Sequence, residues 1–127
     1  MNVTFKLPLQ MEKKRHVITY GDYFHDFFEK QTPKVRDKIM KVLDIIEYLP
    51  VIPITYLRII EGTNGLYEVR VKLASNIFRI FCFFDGNKFV ILLTAFQKKS
   101  QKTPLKEIRR AEALMKQYFK EKEGEAI

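Results

Sequence analysis

The chain has 127 residues, 46% of them apolar and 30% charged, with a net charge of +8 and a single cysteine. A chain of this length suits one domain with a real core, because it buries about two-thirds of its unfolded surface. The lone Cys82 excludes an intrachain disulfide, no apolar run approaches the roughly 20 residues of a membrane span, and no signal-peptide pattern opens the sequence, so a reduced, cytoplasmic protein without a membrane partner is expected.

Residues 1–15 carry one short alternating piece, at 3–7, stopped by Pro8. They are read as an N-terminal arm or edge strand, ahead of a single domain over 16–121 and an acidic tail over 122–127. Residues 16–20 read as a short strand, punctuated by Gly21-Asp22. Residues 22–31 read as a helix, with Asp22 as N-cap and Phe24, Phe27 and Phe28 on one face. Thr32-Pro33 opens a second helix, Thr32 capping it and Pro33 filling its first position. Val35, Ile39, Val42, Ile46 and Leu49 make its apolar stripe, and Pro50 and Pro53 end it. So short a link predicts an antiparallel helix hairpin.

Residues 56–60 form a candidate strand before the turn at 62–65. Residues 66–73 alternate, with Tyr67, Val69, Val71 and Leu73 on one face and Glu68, Arg70 and Lys72 on the other. Residues 77–84 form the next strand, with Arg79, Phe81 and Phe83 sharing a face, and Asp85-Gly86-Asn87 turns the chain back. Residues 88–96 are nearly all apolar, as a central strand covered on both sides would be. Pro104 opens a last helix, running to 120 with the stripe Leu105, Ile108, Ala111, Leu114 or Met115, and Tyr118. The expected class is α+β: a twisted antiparallel sheet of about four strands, with an N-terminal helix hairpin and a C-terminal helix.

The charge is uneven. Residues 66–120 hold 12 basic and 4 acidic residues, whereas residues 1–65 hold 10 and 8. Excess charge gathered in one half suits a polyanion such as RNA, although a basic domain can equally bind an acidic protein. Most chemistry signatures are missing: there is no phosphate-binding glycine loop and no cysteine pair for zinc. His16 and His25 have no metal-ligand spacing, so neither a metal nor another cofactor is expected. Cys82, mid-strand among phenylalanines, reads as core.

What remains is basic. Arg70 and Lys72 share a strand face, Arg79 lies on the adjacent strand, and Lys98, Lys99 and Lys102 follow the last strand. Arginines on a sheet face can clamp a phosphate, and clustered cations stabilise the extra charge of a pentacoordinate phosphate. Crowding lowers a lysine pKa towards general-base range. RNA supplies its own nucleophile, the 2′-hydroxyl, so such a site needs no metal. Tyr67, Phe78 or Phe96 could stack a base, with core packing favoured for Phe78 and Phe96. The plain alternative for Arg70 and Arg79 is a surface ion pair with Glu68 or Asp85.

Three segments together carry a family resemblance: GLYEVR at 65–70, FRIF at 78–81, and FQKKSQKTP at 96–104. Over roughly 16–120 the chain resembles HigB-like toxins, the phage-related branch of the RelE/ParE superfamily. That resemblance implies a type II toxin–antitoxin system toxin, a ribosome-dependent endoribonuclease (mRNA interferase) that cuts mRNA in the ribosomal A site and inhibits translation. It also implies a cognate antitoxin, usually carrying a helix-turn-helix DNA-binding domain. Carried over by position, the catalytic candidates are Arg70, Arg79, Lys98 and Lys99, with Lys102 as an RNA contact; Lys72 and Tyr67 join it as RNA contacts from the reading of the residues alone. Which basic residue acts as base stays open, and Thr94 stands where some relatives have His. A ParE-type gyrase-binding toxin and a non-enzymatic basic binding module are the alternatives.

Overall fold

The two most apolar strands are apolar on both faces because helices cover both sides of the sheet they centre. In the computed structural model, which describes residues 12–99 and 102–125, the order is β1 (His16–Thr19), α1 (Tyr23–Glu29), α2 (Pro33–Tyr48), β2 (Leu57–Ile59), β3 (Tyr67–Leu73), β4 (Asn76–Asp85), β5 (Phe89–Lys98) and α3 (Leu105–Glu125). Across the sheet the strands run β1-β5-β4-β3-β2. The α+β class is as expected. The four strands β2 to β5 form an antiparallel meander, and β1 adds a fifth, parallel to β5 from His16 opposite Phe89 to Thr19 opposite Leu92. The sheet is therefore mixed. A parallel pair needs a long connection, and everything from α1 to β4 supplies it. The expected arm at 1–15 lies, up to residue 11, outside the described residues.

On one face, Phe24 of α1 and Val35, Ile39, Val42 and Ile46 of α2 pack on Val69, Val71, Phe78, Ile80 and Val90. Cys82 is buried there too, as expected, and burial pushes its thiol pKa up. On the other face, Ala111, Leu114 and Met115 of α3 pack on Leu66, Phe81, Phe83, Ile91 and Leu93. Each fully buried large apolar side chain is worth about 1.5–3 kcal/mol, so the two layers hold β4 and β5 rigid between them. Among the described residues no helix is long and apolar enough to cross a membrane.

Local chemistry sets the element ends. Thr32 accepts a hydrogen bond from the Val35 amide at 3.3 Å, capping α2 as expected. Its far end is closed by Arg15, whose guanidinium donates to the carbonyls of Ile46 (2.8 Å), Leu49 (2.8 Å) and Pro50 (2.7 Å). Asp22 precedes α1 but makes no side-chain cap bond. β4 outruns its expected bounds by one residue at each end, and two elements outrun their expected C-terminal ends further. α3 continues to Glu125, through the first part of the expected acidic tail, because Tyr118 and Lys122 both donate to Asp85 at the end of β4. β5 continues to Lys98, so that lysine belongs to the strand and does not follow it.

Candidate active site

Cross-strand pairing brings the two arginines together. Arg70 of β3 lies directly opposite Arg79 of β4, and Arg79 lies opposite Phe96 of β5. Paired residues point to the same face, and alternation puts Glu68 and Lys72 on Arg70's face and Lys98 on that of Phe96. This is the α3 side of the sheet, since Phe81 and Phe96 pack in the α3 cluster. The cations thus sit on β3, β4 and β5 on the α3 side of the sheet.

Glu68 is the pivot. One carboxylate oxygen lies 3.9 Å from Arg70 Nε and the other 3.4 Å from Arg79 Nε. Neither contact meets hydrogen-bond geometry, and both buried Nε groups are left without a hydrogen-bond partner among the described residues. Arg79 donates a long 3.4 Å bond to the adjacent Phe78 carbonyl. One carboxylate facing two arginines leaves donors and net positive charge for an external anion.

Burial then separates the cations. The plain alternative puts Arg79 in a surface ion pair; it is only 3% exposed, because it lies mid-strand between β3 and β5, opposite Arg70 and Phe96 and with Glu68 against its Nε. That burial pushes its pKa down, Glu68 acts against the fall, and Arg70 and Arg58 add to it; an arginine nonetheless stays charged. The Arg70 side chain is 33% exposed. Lys98 is half-buried, and its amine is pushed below the usual lysine value, first by burial and then by the charge of Arg79, with Glu68 opposing and Arg70 adding.

The remaining expected residues are placed differently. Lys72 is exposed on the arginine face, and Lys99 and Lys102 are exposed between β5 and α3; Ser100 and Gln101 of the same motif lie outside the described residues. Tyr67 is not with the cations. Its cross-strand partner is Cys82, so it faces the α1–α2 layer, with its ring edge-on to Phe84 at 5.0 Å. The sheet separates it from Arg70. Phe78 is core, and Phe96 packs against Phe81 at 5.4 Å. Asp85 does not pair with either arginine; it is taken by Lys122 at 2.7 Å and Tyr118 at 2.6 Å.

His16 stacks on Phe89 at 5.9 Å and exposed His25 sits 4.0 Å from Glu29, both far along the chain from the cations. Among the described residues no three His, Cys, Asp or Glu side chains group as a metal site. Sequence reasoning treated Glu68 only as one possible surface partner. Its two-residue spacing from Arg70 was the available signal, and the register with Arg79 completes the arrangement.

Residues 26–116 match the family described as phage-derived protein Gp49-like (DUF891). The match spans well over half of the chain, which belongs to that family. No curated protein matches it in sequence. Among solved structures it is similar to a chain of the archaeal RelE–RelB complex from Pyrococcus horikoshii OT3, with 17% identity, a TM-score of 0.49, and coverage of 70% of this chain and 99% of that one.

Proposed function

We propose that this Gp49-like protein is the toxin of a type II toxin–antitoxin pair, a HigB-like, metal-independent endoribonuclease that cuts mRNA on the ribosome in the cytoplasm. The observation that carries the reading is the convergence of Arg70, Arg79 and Lys98 on one sheet face, with the Glu68 carboxylate between two arginines whose Nε donors have no hydrogen-bond partner among the described residues. A scissile phosphate replaces what Glu68 leaves unmet. Arg70 and Arg79 donate to its non-bridging oxygens, where charge grows as the phosphorus becomes pentacoordinate. Lys98, its amine eased towards neutrality by burial and by Arg79, takes the proton of the adjacent 2′-hydroxyl. The 2′-oxygen forms its bond to phosphorus, the bond to the 5′-oxygen breaks, and that oxygen leaves with a proton from water at this open edge. The products are a 2′,3′-cyclic phosphate and a 5′-hydroxyl. Lys99 and Lys102 extend the positive surface along the strand end. The partner that neutralises the protein, an antitoxin with a helix-turn-helix domain, covers Arg70 and Lys98.

The test is a short induction in growing bacteria with genome-wide mapping of mRNA 5′ ends, beside an Arg70→Ala control. Arg70 is the right probe because it is part-exposed. Arg79→Ala would take from half-buried Glu68 the nearer of its two arginines and empty a packed site, a change whose cost approaches that of breaking a buried ion pair, about 3–5 kcal/mol. New ends within translated frames, lost in a folded Arg70→Ala protein, are the expected result. Growth arrest with DNA breaks and no new ends points instead to gyrase binding, and neither effect leaves a basic binding module.

A further inference from the structure

Strand β2 pairs with only Leu57–Ile59 against residues 67–69 of β3. Beyond Arg70, whose amide bonds to the Tyr56 carbonyl at 2.8 Å, the outer edge of β3 has no neighbouring strand among the described residues. A groove of about 430 Å³ opens there, within the range of small-molecule sites. Nine of the described residues line it; Lys38, Arg70, Lys72 and Arg79 are basic and none of the nine is acidic. Tyr56, half-buried against the α1–α2 core, forms part of the wall, as does Ile54.

We infer that this groove is the subsite for the nucleotide adjoining the scissile phosphate of a single-stranded RNA, with Tyr56 stacking the base and Lys38 and Lys72 holding the flanking phosphate. The inference rests on the nuclease reading above for the identity of the polyanion. The groove shares Arg70 and Arg79 with the candidate active site, so a chain whose phosphate lies between those arginines runs directly into it. Four cations, two of which share the carboxylate of Glu68, leave a net positive lining that matches a phosphodiester backbone, and an aromatic residue in the wall supplies the sequence-tolerant stacking that single-stranded nucleic acid uses. An acidic peptide adding as a strand would find only residues 71–73 of β3 unpaired, too few for a stable ladder. Tyr56 lines the groove beside Arg70 and Arg79, which Tyr67 does not, and so takes the stacking role expected of Tyr67.

The probe is an RNA tetranucleotide with 2′-O-methyl groups, which binds but cannot be cut. Its affinity for the full chain is measured by fluorescence anisotropy and its contacts by amide chemical shifts. Lys38, Tyr56 and Lys72 amides are expected to shift together with Arg70. Tyr56→Ser should weaken binding about fivefold or more, as loss of one stacked base does, and the exposed-site variant Lys72→Ala should weaken it about threefold without touching the core. Unchanged affinity in both Lys72→Ala and Lys38→Ala, with shifts confined to the Lys98 end, overturns the inference. So does a glutamate-rich peptide that fills the groove more tightly than the RNA. The nuclease reading fails separately. A wild-type protein that binds the tetranucleotide through these residues but creates no mRNA ends keeps the subsite and loses the cleavage. Cleavage with undiminished binding in the groove variants does the reverse.

Discussion

A lysine that binds phosphate and a lysine that accepts a proton are different devices, and Lys98 can be asked which it is. Its amine is pushed down by burial and by Arg79, so the neutral fraction at a given pH exceeds that of an ordinary lysine. A base must be unprotonated, hence cleavage should rise with pH until that lowered pKa is passed. Lys98→Arg keeps the charge, but its guanidinium cannot give up a proton in this range. The expected outcome is RNA binding within about threefold of wild type, a rate loss of about 100-fold or more, and disappearance of the alkaline rise. A pH–rate profile of the variant reads this directly. An intact rise would assign the proton to another group. At this scale alternation alone puts Arg79 on the face of Phe81 and Phe83, whereas its depth is illegible. Burial follows from what β3 and β5 lay beside it, and no spacing in β4 encodes that. Tyr67 shows the complementary limit: aromatic composition suggests a stacking surface, but its parity with Val69 and Val71 sends it to the core side.

Among the elements, α3 is fastened at its C-terminal half by polar chemistry as well as by packing. Asp85 accepts from Tyr118 and Lys122, and those hydrogen bonds hold its carboxyl below the ordinary 3.8. The folded state therefore binds fewer protons than the unfolded one near that pKa. The stabilisation is present above 3.8 and is lost as pH falls through the lower folded value. Asp85→Asn should destabilise the protein by about 1 kcal/mol at pH 7, a figure kept low because the Lys122 side chain is 55% exposed. In urea unfolding across a pH series, the gap between variant and wild type should close on the acid side. A gap that persists there would mean that Asp85 acts through shape and not charge. The same bond explains why the end of α3 is misread from sequence. Acidic residues after Lys120 look like a solvated tail, yet Lys122 reaches a residue 37 positions away in the chain. Long periodic elements such as α2, with its Thr32 cap, and β4 and β5, with continuous apolar runs, are legible because the cause is local. The partner of β1 is not, because an edge strand of four residues carries a pattern that fits either edge of the sheet and either direction.

For the molecule as a whole, the question is whether its charge is spent on a site or merely spread over a surface. The excess of basic residues lies in the stretch 66–120, 12 against 4 acidic, and that stretch contains β3, β4 and β5, which bring Arg70, Arg79 and Lys98 to one face. Charge gathered this way should bind single-stranded RNA by releasing condensed counterions, with log affinity falling by about 0.7 per phosphate contacted for each decade of salt. If Arg70, Arg79, Lys98 and Lys72 together meet about three or four phosphates, the slope of log affinity against log salt should lie near about −2 to −3. Removing one phosphate contact by Arg70→Ala should make it shallower by roughly 0.7. A distributed basic surface behaves otherwise: its slope can be as steep, but no single substitution moves it more than another. The discriminating measurement is therefore a pair of salt titrations with an uncleavable RNA, one with Arg70→Ala and one with Arg109→Ala, an exposed arginine of α3. A slope altered by the first and not the second makes the sheet face the seat of the anion. Equal changes in both would dissolve the site into the general charge of the chain and take the nuclease reading with it.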